Sequence, residues 1–143
     1  MDTTSSVKPP TALHPVTNDK IEAAWPLIEQ SISSAIDRDG LYDASHIKEW
    51  VLRGTHQLWI AGSKERGIEA LAVTEMLRHP KGQTINFWIC TGKDRDRWLA
   101  HKNGIEAWAK EQGCTRSVAH ARKGWAKALP DYKLTHLVLE KSL

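Results

Sequence analysis

The chain has 143 residues, of which 41% are hydrophobic and 26% charged, and it carries a net charge of +3 at pH 7. This is the composition of a globular chain of single-domain length, not of a disordered or fibrous one, and the charge is too small to argue by itself for nucleic acid. Two cysteines, Cys90 and Cys114, make no disulfide framework, and no apolar run reaches the ~18 residues of a membrane span, so the expectation is a cytoplasmic protein without a membrane partner.

Residues 1–16 are rich in Ser, Thr and Pro and read as a flexible tail, leaving 17–143 as one domain. Thr17, Asn18 and Asp19 offer N-cap oxygens to a first helix. Its inner face is Ile21, Ala24, Trp25, Ile28, Ile32, Ala35 and Ile36 at helical spacing, with Pro26 set to kink it or to restart it. Asp37 to Gly40 form a turn. Asp43 or Ser45 caps a second helix, with Ile47, Trp50 and Val51 inward and Gly54 past its end.

Three strands follow: Gln57 to Ala61, Ile68 to Leu77 and Gln83 to Cys90, antiparallel and joined by short polar turns. In the third, Ile85, Phe87 and Ile89 alternate onto one face, with Trp88 and Cys90 on the other. Lys93 to Cys114 is predicted to be a loop running into one amphipathic helix that ends at Gly113. Its apolar face is Trp98, Ile105, Trp108 and Ala109. A strand at Arg116 to Ala121, a short helix at Gly124 to Leu129 stopped by Pro130, and a last strand at Lys133 to Glu140 complete the order.

This order resembles the GNAT N-acetyltransferase superfamily over roughly residues 17–140. The most specific local piece is IEAWAKEQGC, Ile105 to Cys114, which is similar to the end of that family's central helix. The resemblance implies an α/β fold: a mixed central sheet with helices on both faces. In that family a Gly-rich signature at the start of the central helix holds the pyrophosphate of acetyl-CoA. Family spacing puts Lys93 at its basic position, Asp96 at the first Gly and Trp98 at the second. A carboxylate repels phosphate, and an indole obstructs a close backbone approach that Gly permits. Lys93, Arg95, Arg97 and Trp98 are therefore the cofactor-binding candidates, while the departures from the pattern lead to a degenerate coenzyme loop.

No catalytic residue is assigned on this reading. The family's frequent Tyr acid corresponds by spacing to Lys127 or Trp125, Tyr132 is read as packing at the start of the last strand, and Glu75 as an exposed strand carboxylate. No spacing matches a metal site, and Cys114 reads as a buried small residue. The Trp-rich helix and the ARKGW turn also look like small GNAT-like proteins of tailed bacteriophages. That second resemblance implies a non-catalytic accessory or virion-associated protein without a cofactor. It would act in the host cytoplasm or the virion, with virion components or a second copy of itself as partners. Arg122, Lys123 and Trp125 mark its binding surface. An acyl-CoA-dependent N-acetyltransferase is the alternative. A nucleic-acid-binding accessory protein is the third reading, drawn from the basic groups between Lys93 and Lys127.

Overall fold

The computed structural model describes residues 11–36, 40–121 and 124–143. The elements are β1 (Ala12–Pro15), α1 (Asn18–Ile36), α2 (Ala44–Leu52), β2 (His56–Ser63), β3 (Gly67–His79), β4 (Gly82–Gly92), α3 (Arg95–Trp98), α4 (Lys102–Glu111), β5 (Cys114–Ala119) and α5 (Trp125–Ala128). One five-stranded sheet runs in the order β1-β2-β3-β4-β5. Its first four strands are antiparallel neighbours, and β5 joins β4 in parallel. The parallel pair needs a crossover, which α3 and α4 supply.

α1 forms where the spacing predicts it, and Ile21, Trp25, Ile28, Ile32 and Ile36 are its buried face. Each such side chain stabilises the fold by roughly 1.5–3 kcal/mol on leaving water. Pro26 lies on the exposed side, and the helix runs through it. The carbonyl that loses its i+4 donor belongs to Glu22, an exposed residue that water can reach. Asp43 opens α2, its N–H donating to the His46 ring 2.9 Å away. These two helices cover one face of the sheet over Leu58, Leu71, Val73 and Ile89. α4 covers the other face, with Ile105 and Ala109 against Trp59, Ala72, Ile85 and Phe87.

Four expectations change. Ala12–Pro15, assigned to the tail, pairs with Gly62 to Trp59 at the edge of β2. β4 carries a bulge: Val73 faces Ile89 but Thr74 faces Phe87, so Trp88 has no partner opposite it. The extra residue inverts the alternation beyond it. Ile89 therefore joins the α1–α2 core, while Cys90 turns to the side of Trp98, Ala61 and Ala70. The predicted central helix is divided into α3, a 3₁₀ turn at Leu99–His101, and α4. Finally, Lys133 to Glu140 is not a strand of this sheet. The turn read at Asp37 to Gly40 lies largely outside the described residues, which resume at Gly40.

Candidate active site

The site follows from where β4 and β5 stop pairing. Their register runs from Gln83 opposite Cys114 to Phe87 opposite Ala119, and the last backbone bond is His120 N–H to the Phe87 carbonyl, 3.2 Å. β4 continues through Trp88–Gly92 without β5 beside it. The strands part, and a cavity of about 90 Å³ opens between them. Its wall is mostly apolar: Trp59, Ala61, Ala70, Phe87 and Trp98, with Trp125 and Leu129 from the far side. The polar groups reaching it are few, and they include Cys90, His101, Lys102, His120 and Tyr132. A concave apolar pocket with a handful of convergent polar groups is the usual form of a small-molecule site.

His120 is the group whose chemistry the surroundings define. Asn86, fully buried on β4, has two neighbours. Its amide nitrogen donates to Glu75 Oε1 at 2.9 Å, and its carbonyl oxygen lies 2.8 Å from His120 Nδ1. A carboxylate can only accept, so Glu75 fixes which way the amide points. The amide oxygen then accepts from Nδ1–H, which leaves Nε2 with a lone pair in the neutral ring. Glu75 in turn lies 3.2 Å from His56 Nε2. Burial holds His56 below the ordinary imidazole range, although the Glu75 carboxylate pulls the other way. Glu75 is thus only partly exposed and sits between His56 and Asn86, not on the open strand face that its sequence suggested.

Tyr132 lies under the same cavity and not in a sixth strand. Its hydroxyl meets Glu106 and Ser117, and Lys102 stands 5.3 Å over its ring. Burial and the Glu106 carboxylate raise its pKa, so it remains a phenol engaged with that carboxylate. Lys102 is 2.9 Å from Asp131 and 3.6 Å from Glu106.

Three of the four candidate cofactor residues, Arg95, Arg97 and Trp98, line the mouth, with Lys93 beside them in sequence, and the four divide. Trp98 does not obstruct it. Its indole is buried against Ala61, Ala70 and Cys90, and its Nε1–H donates to the Lys93 carbonyl at 2.6 Å. Arg97 also turns inward and grips Glu69 with two bonds, 2.7 and 3.2 Å. Arg66 completes this cluster with contacts to Glu69 at 3.3 Å and Asp94 at 2.8 Å. Lys93 is exposed, while Arg95 lies 4.9 Å over the Trp125 ring; Asp94 sits between them in sequence and Asp96 follows, both exposed. Asp94 opens α3 in the left-handed region at φ 53°, without a side-chain cap bond. Gly92 is required where β4 enters the loop: a Cβ there would sit 2.6 Å from Ala70 Cβ and from the Glu69 carbonyl oxygen.

Of the proposed binding surface, Arg122 and Lys123 lie outside the described residues. Trp125 opens α5 and packs near Trp98, ring centroids 6.4 Å apart. Among the described residues, no three His, Cys, Asp or Glu side chains are grouped to hold a metal ion, and no helix is long and apolar enough to cross a membrane. Both cysteines are free thiols. Burial pushes Cys90 from its ordinary 9.0 up to about 11, and raises Cys114 as well. Cys90 should therefore alkylate about a hundredfold more slowly than an unhindered thiol at neutral pH, since only the thiolate reacts. Iodoacetamide labelling of native and urea-unfolded protein, read by mass spectrometry, checks this; equal rates would contradict it.

His120 was legible only as an isolated histidine, because its partner Asn86 is 34 residues away in sequence. The parting of the strands has no local signature.

No protein-family model matches the sequence, and no curated protein matches it. Solved structures do. An aminoglycoside acetyltransferase from an uncultured soil metagenomic sample, in complex with sisomicin, superposes with a TM-score of 0.68 at 9% identity, covering 93% of this chain and 96% of that one. A ribosomal-protein-alanine N-acetyltransferase of Brucella melitensis biovar Abortus 2308 gives 0.65 at 11% identity, over 92% and 99%. A GNAT family acetyltransferase of Staphylococcus aureus gives 0.63 at 12% identity, over 94% and 100%. Identities this low carry the fold and not the substrate. With its mixed sheet, flanking helices and parted β4 and β5, the chain has the α/β fold of the GNAT acetyltransferases.

Proposed function

We infer that the chain is an acyl-CoA-dependent N-acyltransferase. The observation that carries this reading is the wedge between β4 and β5, with an apolar cavity at its base and His120 on its wall. The fold neighbours support it. The phage-type binding reading gains nothing from them, and its premise is weakened because Trp98 packs on Ala61 and Ala70 as part of the cavity wall and leaves the cavity open.

Acetyl-CoA fits the residues present in part. The unpaired edge of Trp88–Gly92 would hold the amide-bearing arm, and Arg95, with the exposed Lys93 two residues before it, would face the phosphates. Bound there, it would supply an activated acyl carbonyl and a thiolate leaving group. The phosphate site is weak by construction. Asp94 and Asp96 flank Arg95, Arg97 is bound to Glu69, and α3 is too short to present a long helix dipole. On the protein's side, His120 Nε2 accepts the proton from the attacking amine, and the Asn86–Glu75 pair orients the ring in the tautomer that carries its hydrogen on Nδ1. The nucleic-acid reading fares worse, since Arg97, Lys102 and Arg95 are engaged with Glu69, Asp131 and Trp125.

Thermal unfolding with and without acetyl-CoA tests the reading. A ligand at a hundred times its Kd adds about 2.7 kcal/mol of stability. A rise in Tm is expected, and Lys93→Glu with Arg95→Glu should remove it; no rise at millimolar acetyl-CoA would overturn the assignment. Coenzyme release with sisomicin and with a peptide bearing N-terminal alanine then surveys two amine classes suggested by the names of proteins of this fold.

A further inference from the structure

The cavity does not stop at the parted strands. On the α4 face of the sheet it runs from His120 past Cys90 to β3 and β2, where Ala61, Ala70 and Ala72 line it. The pairing sets these small side chains next to one another. Ala61 lies opposite Ala70 and Trp59 opposite Ala72; toward β4, Ala70 meets Gly92 and Ala72 meets Cys90. Strands favour branched and aromatic side chains, and alanine is depleted in them. Three buried alanines on two neighbouring strands therefore leave room that valine or isoleucine would fill.

The two ends of this space differ. Lys102, His120 and Tyr132 belong to the β5 side, where the Tyr132 hydroxyl meets Ser117. The β2–β3 side presents hydrocarbon. Trp59 lines it, and the indole Nε1–H donates to Thr74 Oγ1 at 3.0 Å. His101 is engaged with Thr11 Oγ1 at 2.6 Å. With those polar groups occupied, this end holds water poorly and suits an apolar group. Its size is informative too. A cavity of about 150 Å³ lined by aliphatic and aromatic side chains takes benzene, with its six carbons. The cavity of about 90 Å³ here admits, in proportion, about three or four carbons.

We propose, on the acyl-CoA reading, that the donor carries a short acyl chain longer than acetyl, butyryl being the simplest, and that Ala72 sets its length. With a thioester in the wedge beside His120, the tail beyond the carbonyl reaches Ala72, around which Trp59, Phe87 and Ile105 pack. An acetyl group brings a single methyl and leaves most of the space unfilled. A butyryl group adds two methylenes, and taking both out of water tightens binding by roughly tenfold. A much longer chain exceeds the room and leaves its end in water.

Isothermal titration of the full chain with CoA, acetyl-CoA, butyryl-CoA and octanoyl-CoA reads the preferred length, with thermal unfolding as a second readout. Butyryl-CoA should bind roughly tenfold more tightly than acetyl-CoA. Octanoyl-CoA should bind less tightly than butyryl-CoA. Ala72→Val fills the space with a side chain that suits a strand. It should unfold at no lower urea concentration than the parent, and its preference for butyryl over acetyl should vanish. Equal affinities for acetyl-CoA and butyryl-CoA in the parent overturn the proposal and leave the acyltransferase reading intact. Octanoyl-CoA binding as tightly as butyryl-CoA does the same. So does an Ala72→Val protein that keeps the preference, or one that fails to fold, because that failure shows the space to be filled already. No response to any of the ligands removes the acyltransferase reading and the proposal together.

Discussion

Replacing His120 with Gln should lower turnover by roughly 10²–10⁴-fold, the range that a positioned general base contributes. Gln has no nitrogen that can take a proton. The acetyl-CoA-induced rise in Tm should persist, because His120 is placed on the proton and not on the coenzyme. Asn86→Leu should show a smaller loss, since it frees the ring to adopt the other tautomer while the imidazole remains. Steady-state kinetics, on any amine that supports coenzyme release, measures both. Activity of His120→Gln within a few-fold of the parent would remove His120 from the chemistry while leaving the acyltransferase reading to its own test.

What the sequence disclosed, and what it hid, divides along the range of the interactions. α1 was legible because Ile21, Trp25, Ile28, Ile32 and Ile36 are close in sequence and their spacing is itself the signal. The three antiparallel strands were legible for the same reason, since period and turn residues are local. β1 was not, because Ala-Leu-His-Pro becomes a strand only through bonds to β2, far along the chain. The bulge at Trp88 was hidden too. It is a property of the pair β3–β4, and it sends Ile89 and Cys90 to faces that simple alternation does not give them. Lys133 to Glu140 shows the converse case: its strand-like pattern is visible, but a pattern alone does not make a strand of the sheet. The same limit applies at the site. Lys93, Arg95, Arg97 and Trp98 were found by spacing, yet spacing could not tell that two of them face inward. His120, Asn86 and Glu75 come from three strand segments and meet only in the folded sheet.

Trp98→Ala separates the two accounts of that loop most sharply. If the indole filled a coenzyme cradle, removing it would open the cradle and strengthen acetyl-CoA binding at little cost to the fold. The geometry requires the opposite. Trp98 is 5% exposed, packs on Ala61 and Ala70, and lies 48° from the plane of Trp125. Truncating a buried Trp costs roughly 3–5 kcal/mol from lost burial and the cavity left behind. The Lys93 carbonyl also loses its donor, and that carbonyl sits at the start of the loop that carries the rim cation. The variant should therefore unfold at markedly lower urea, and its acetyl-CoA response should weaken, because Lys93 is no longer held. Trp98→Phe should recover part of the stability by refilling the space but not the bond to Lys93, and so should leave the coenzyme response impaired. Urea titrations with and without acetyl-CoA on both variants give the two readouts together. Tighter coenzyme binding by a fully stable Trp98→Ala protein would show that the indole occupies the coenzyme's place.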